Sequence, residues 1–232
     1  MSDATVTVLE PDEAPAAHPC ACPTHYPRDL ALMNYLLQDI RSLIRLAAKG
    51  ERTLTPHERL EWTVHDLKRR TIVCDPARIV EPVTVHVVGF FSDRIADADK
   101  SPLDAAEDGL LAELANHPGM LGYSSMELID HYWANLVIHT DPADRETWRG
   151  AAVHKQAVDE VAPLVYNSVR IHKGCLLAGV TGSETIRIES TGYWDYASEP
   201  QWQAVRELPG GFQAGAFAST DLASDGSGAA RQ

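Results

Sequence analysis

Residues 151–158 read AAVHKQAV, a single histidine in a run of small apolar residues. On a helical wheel of about 100° per residue, Gly150, Ala151, Ala157, Val158 and Val161 fall within roughly 60° of His154. Arg149, Lys155, Gln156, Asp159 and Glu160 lie opposite or on the flanks. The imidazole is therefore expected on the centre line of the buried stripe. A core helix fills that position with Leu or Phe and packs densely. Small neighbours instead imply a shallow depression with a nitrogen ligand at its floor, a shape that suits a flat cofactor. Neutral imidazole is an axial ligand for haem iron, and it then needs an acceptor on its other nitrogen. His154 is the candidate metal ligand, and Ala151, Ala157 and Val158 are the candidate walls of a haem site. Two other readings stay open: acid/base chemistry without haem, and a core histidine satisfied by protein groups.

Two strand-like runs supply further chemistry. In HYWANLVIHT, alternation places His131, Trp133, Asn135 and His139 on one face with Val137, and Tyr132, Ala134, Leu136 and Ile138 on the other. Trp133 and Asn135 are candidates to line a cofactor site, and His131 and His139 are candidate general bases with an ordinary pKa near 6.5. In SVRIHKG, Arg170 and His172 share a face. Arg170 suits a carboxylate partner, whether a haem propionate, an acidic substrate or a structural Asp or Glu. His172 is a third candidate base. Tyr193 and Trp194 suit a pocket wall or a subunit interface.

These residues need elements to hold them. Residues 1–26 are expected to form a disordered leader, and residues 197–232 a C-terminal segment with a flexible Gly/Ala/Ser tail. Residues 27–81 are expected to be a helical extension. Leu32, Leu36, Ile40, Leu43 and Ala47 recur at helical spacing, and Gly50 follows as a C-cap. Thr55-Pro56-His57-Glu58 predicts a second helix running to about Arg70, opened by a capping box. Residues 82–196 alternate as β-α-β-β-α-β-β. VTVHVVGFF is a strand; SPLD opens a helix that His117-Pro118-Gly119 stops. Two strand runs follow, then a long amphipathic helix over DPADRETWRGAAVHKQAVDEVAP, then two strands joined around Thr181-Gly182-Ser183.

That order describes an α+β domain: a ferredoxin-like unit with an extra strand and an N-terminal helical extension. A sheet with both helices on one face leaves the other uncovered, so two copies are expected to pair sheet to sheet as a homodimer. Residues 82–196 resemble the dimeric α/β-barrel superfamily. This includes the antibiotic-biosynthesis-monooxygenase type and haem-binding relatives such as haem-degrading monooxygenases, chlorite-dismutase-like proteins and aldoxime dehydratases. The resemblance implies a proximal histidine on the second helix in an A-A-H-K context, where this chain reads A-A-V-H-K. The haem-degrading members also carry an asparagine on the first strand. VTVHVVGFF has none and offers His86, which argues against haem breakdown as the reaction.

Composition narrows the rest. A formal net charge of −13 leaves no basic surplus for nucleic acid or anionic membranes. No run approaches the roughly 20 apolar residues of a membrane span, and the acidic N-terminus lacks the pattern of a secretory signal, so a cytoplasmic location is expected. Cys20 and Cys22 form C-x-C, which fits no common zinc spacing. P-loop, G-x-G-x-x-G, G-x-S-x-G and H-E-x-x-H motifs are absent. Three functions remain: a haem-dependent enzyme acting on a small metabolite by oxygenation or dehydration, a cofactor-free monooxygenase or cyclase using a histidine base, and a non-catalytic small-molecule-binding protein.

Overall fold

A computed structural model of the chain describes residues 6–99, 101–129 and 132–213. Its frame is one sheet of nine strands, mixed in direction, with helices on both faces. The middle of the sheet comes from the region where strands alternate with helices. Strands β4 (Val85–Arg94), β5 (Met120–Glu127), β6 (Tyr132–His139) and β7 (Tyr166–Leu176) lie in the order β7-β4-β6-β5, each pair antiparallel. Helix α2 (Ser101–Glu113) links β4 to β5, and a helical segment over residues 142–165 links β6 to β7. Outside β7 lie β8 (Arg187–Asp195), β9 (Trp202–Phe212) and β1 (Thr7–Leu9), the last parallel to β9. Outside β5 lie β3 (Leu67–Val73) and β2 (Arg59–Val64).

Helix α1 (Tyr26–Ala48) covers the sheet face away from α2. Its apolar residues recur at three- and four-residue spacing, and Leu30, Met33, Leu36, Leu37, Ile40 and Ile44 are buried. Burying each is worth about 1.5–3 kcal/mol as an upper bound. They pack on Val85, Val87, Phe91, Ala134, Leu136 and Ile138, the alternate residues of the central strands. Contact is close where a Cβ on Gly89 would stand 2.6 Å from the Met33 sulfur. The helix stops as expected at Gly50, whose φ of 72° suits a residue without Cβ. The face on which a second copy was expected to pack carries the chain's own helix α1.

Three expected elements differ. The helix predicted from Thr55 is the β2–β3 hairpin, with Val64 opposite Leu67. His65 and Asp66 form its two-residue loop with φ of 50° and 65°, the left-handed pair that a twisted hairpin requires. Leu60, Val64 and Leu67 fit a helical stripe, but Leu60, Trp62 and Val64 also fit period 2, and the β-branched run Thr71-Ile72-Val73 decides for strand.

The leader is tied down over its described part. Arg206, fully buried, donates to the carbonyls of Glu10 at 2.9 Å and Ala21 at 3.0 Å, and to that of Glu13. His18 stacks on Trp202 at 3.9 Å and bonds Asp195 at 2.8 Å. The C-terminal segment supplies β9, which takes in residues 209–212 of the tail expected to be flexible; residues 214–232 lie outside the described residues.

The long helix after β6 is broken. Helix α3 (Pro142–Gly150) ends at Ala151, whose ψ of 137° is extended. Helix α4 (Ala152–Gln156), a π-turn (Ala157–Val161) and α5 (Ala162–Val165) follow.

Candidate active site: a cleft between the sheet and its second helical layer

The break in the helix changes the surroundings expected for His154. The wheel cannot be carried across the extended Ala151, so Gly150 leaves the stripe, while Ala157 and Val158 still follow His154 within one helical turn. Ala151 sits in the kink, Ala157 opens the π-turn, Val158 is exposed, and nothing stands within 4 Å of a Cβ placed on Gly150. The His154 ring instead meets Trp148 edge to face at 5.6 Å, and Trp148 meets His117 at 5.1 Å. Burial, then the charges of Arg149 and His117, lower the His154 pKa. Trp148 thus takes a place beside the ring, and among the described residues no group of three or more His, Cys, Asp or Glu could hold a metal ion.

The face under α2–α4 is half-buried in its middle. Alternation and register stack four cross-strand rows there, β7 to β5: Cys175-His86-His139-Met120, Lys173-Val88-Val137-Tyr123, Ile171-Phe90-Asn135-Ser125, and Val169-Ser92-Trp133-Glu127. Two small apolar clusters hold the helices at the sides. One joins Leu111, Leu114 and Trp148 to Ile72, Tyr123 and Val137. The other joins Leu103, Val161 and Val165 to Phe90, Val169 and Ile171. Between them, His86, Val88, Asn135 and Lys173 stay half-buried although β4 is the central strand. Helices α2, α3 and α4 bury no residue completely. The helix layer covers the sheet centre incompletely, and half-buried Val88, between Val137 of one cluster and Phe90 of the other, marks a shallow cleft.

His139 lies on the same face of the sheet, one row from Val137. It is 1% exposed, and its Nδ1 is buried without a hydrogen-bond partner among the described residues. Burial, then the charges of Arg145 and His86, press its pKa down to about 4, with Asp144 opposing. The ring is neutral at neutral pH and offers an unused lone pair or N–H. His86 faces it directly across the β4–β6 ladder. Trp133 lies at the far end of the face, buried, with the Arg94 guanidinium over its ring at 4.9 Å. Asn135 shares the row of Phe90. His131 lies outside the described residues.

Arg170 and His172 point the other way, into the layer beneath α1. Their partner is Asp29 of α1, itself fully buried. Arg170 donates to both carboxylate oxygens at 2.8 and 3.2 Å, and His172 Nε2 donates at 2.9 Å. His172 Nδ1 accepts from Thr191 at 2.8 Å. The Tyr26 hydroxyl donates to Thr191 at 3.0 Å and meets the Tyr193 hydroxyl at 2.9 Å, and Tyr193 accepts from Arg206. Burial disfavours charge on Asp29, but the His172 bond and the Arg170 charge outweigh it and hold the carboxyl down to about 2. Burial lowers the His172 pKa against the pull of Asp29. The network is sealed and fully paired. It docks α1 and the N-terminal segment on the sheet, on the face opposite His139 and His154.

Reasoning from sequence therefore grouped histidines that the sheet separates. It missed Lys173, Val88 and Phe90 as cleft residues. The signal was present: each is one position out of phase with a residue of the α1 face, so period 2 turns it to the other side.

No family model and no curated protein matches the chain. Protein SO0527 from Shewanella oneidensis is similar in structure, with 13% identity, 43% of this chain and 96% of that one covered, and a TM-score of 0.37. SnoaB, a cofactor-independent oxygenase from Streptomyces nogalater, is similar with 15% identity, 44% and 99% covered, and a TM-score of 0.33. Likeness at this level assigns neither activity nor ligand. Among the described residues no helix is long and apolar enough to cross a membrane.

Proposed function

We propose that the protein is a cofactor-independent enzyme that acts on a small, largely apolar metabolite in the cleft, with His139 as proton acceptor. The unit β4–β7 with its two helical connections is read as ferredoxin-like; its element order and the strand order β7-β4-β6-β5 support this. One observation carries the functional reading: a buried imidazole nitrogen with no partner, beside a half-buried apolar patch on the central strand. An unsatisfied buried polar atom costs about 1–3 kcal/mol, and a bound substrate O–H would satisfy it.

The chemistry follows from the environment. Neutral imidazole accepts a hydrogen bond from a phenol or enol. With a pKa near 4 it is a weak base in the empty cleft. An oxyanion developing beside it would stabilise the imidazolium and raise that pKa as the proton moves. The product of the step is an electron-rich enolate or phenolate. One-electron transfer from that anion to dioxygen and recombination of the two radicals would give a peroxide, which takes the proton back from His139 and loses water to leave a ketone or quinone, the substrate supplying both electrons; attack of the anion on an internal electrophile would give cyclisation, and both share this first step.

The test is turnover of a panel of hydroxylated polycyclic aromatics by protein pretreated with chelator, read as oxygen uptake and product formation. Turnover should survive chelation and fall about 10²–10⁴-fold in His139→Gln, with KM changed only a few-fold. Turnover indifferent to His139→Gln would overturn the assignment. Tight binding of the panel without turnover would instead favour a binding protein.

A further inference from the structure

We infer that strand β2 is an interface: it pairs antiparallel with β2 of a second copy of this chain about a two-fold axis at Trp62, joining two sheets edge to edge. The two ends of the sheet differ. At one end β1 is three residues long, a short edge of the kind that resists pairing. At the other end β2 runs six residues beside β3 in unbroken register, with no proline and no bulge. The two-residue loop His65-Asp66 makes Val64 and Leu67 the hydrogen-bonded pair that closes the turn. Alternation then turns the backbone groups of Leu60 and Trp62 toward β3 as well. The N–H and C=O groups of Arg59, Glu61 and Thr63 point off the end of the sheet, and among the described residues no strand meets them. A row of bare backbone donors and acceptors is a template for another strand.

Side chains select the partner and the register. Leu60, Trp62 and Val64 share one face, and Trp62 and Val64 are 36% and 38% exposed. Arg69, opposite Trp62, bonds Asp39 of α1 and lays its guanidinium over the Tyr35 ring at 4.3 Å and the Trp62 ring at 5.7 Å, which holds the indole in place at the edge. On the other face Arg59 and Arg70 donate to Glu61 at 2.6 and 2.5 Å. Residues that point outward pair only with residues that point outward, so the two-fold axis falls at a residue and not between two. An axis at Glu61 overlaps residues 59–63, and an axis at Trp62 overlaps residues 60–64. The first sets two Glu61 carboxylates directly opposite each other, which destabilises a ladder. The second sets indole against indole at a non-hydrogen-bonded position, where side chains stand closest. Leu60 then meets the partner's Val64 on either side of the aromatic pair, and no like charges meet. Glu61 with the partner's Thr63, and the reverse, each exchange two backbone hydrogen bonds. Charge and apolar pattern thus fit this strand to a copy of itself in one register.

The test is the oligomeric state of the full chain. Light scattering at about 100 μM should give about twice the 25.4 kDa of one chain. Thr63→Pro removes an outward donor and spares the bonds to β3. It should weaken association about tenfold or more with an unchanged circular-dichroism spectrum, and Trp62→Lys should do the same. Cysteines report the register. Trp62→Cys should give a disulfide-linked dimer under mild oxidation, because the facing Cα atoms of such a pair stand about 4.5 Å apart, within disulfide reach. Glu61→Cys should not, because an offset of two residues puts its two copies more than about 7 Å apart. Wild type, with its own cysteines, sets the background on a non-reducing gel. A monomer at about 100 μM overturns the inference and leaves the edge to a strand of another protein. A dimer that Thr63→Pro and Trp62→Lys leave intact overturns it as well, because its interface lies elsewhere. Cross-linking through Glu61→Cys and not through Trp62→Cys overturns the register.

Discussion

Replacing His139 with leucine should flatten the acid side of the stability profile. The ordinary pKa of 6.5 applies to the unfolded chain, and burial holds the folded ring near 4. Above pH 6.5 the ring is neutral in both states and imposes nothing. As pH falls below 6.5, the unfolded chain takes up a proton that the folded chain refuses until about pH 4. Stability is therefore lost on acidification across that window and levels off below it. Linkage sets the size: between about pH 7.5 and pH 5.5 the difference is about 1 kcal/mol, and the full shift is worth about 3 kcal/mol. Screening takes little from this because the ring is 1% exposed. The assay is urea unfolding of wild type and His139→Leu at the two pH values. Other histidines with lowered pKa, among them His154 and His172, titrate in both proteins and cancel in the difference. At the higher pH the leucine variant should match or exceed wild type, since it removes a buried nitrogen without a partner. An equal acid loss in both proteins would refute the reasoning, as would an NMR titration placing the His139 pKa at 6.5 or above.

Two further outcomes test the frame around the site. Asp29→Ala leaves the Arg170 guanidinium buried without its carboxylate and should cost about 3–5 kcal/mol in urea unfolding; a cost below about 1 kcal/mol would mean that the network does not dock α1. The double variant Asp29→Ala/Arg170→Met should cost less than the sum of the single changes, because no charge is then stranded. Asp66→Gly relieves a left-handed residue in the β2–β3 turn and should stabilise by up to about 1 kcal/mol. A lower melting temperature in that variant would count against the turn geometry.

Much of the fold could be read from local pattern. The β-α-β-β-α-β-β order of residues 82–196 follows from period-2 and period-3.6 runs with their Pro and Gly stops, and the observed elements keep that order. Helix α1 and its Gly50 stop were equally legible. The hairpin at 59–73 was harder to read, because its apolar spacing satisfies both periods; the β-branched run Thr71-Ile72-Val73 tips it to strand, and pairing with β5 completes it. The strand at 202–212 was not legible, because a Pro-Gly-Gly sequence looks like a tail until β8 on one side and β1 on the other complete its ladders.

The sequence by itself determined which residues alternate along each strand, and therefore which side chains must share a face. It did not determine which face would be sealed. His172 and His139 lie on neighbours of the same central strand, in similar polar company, and local pattern treats them alike. Tertiary structure separates them. Helix α1 brings Asp29 down on His172 and Arg170, so that both carboxylate oxygens are bonded, and Thr191 takes the other ring nitrogen of His172. The broken helical layer on the other side packs only at its edges and leaves His139 Nδ1 without a partner beside a half-buried middle. The physical reason is that hydrogen-bond satisfaction and burial belong to pairs of elements distant in the chain. Their meeting is decided by how helices α1 and α3–α4 lie on the sheet, not by the residues that flank either histidine.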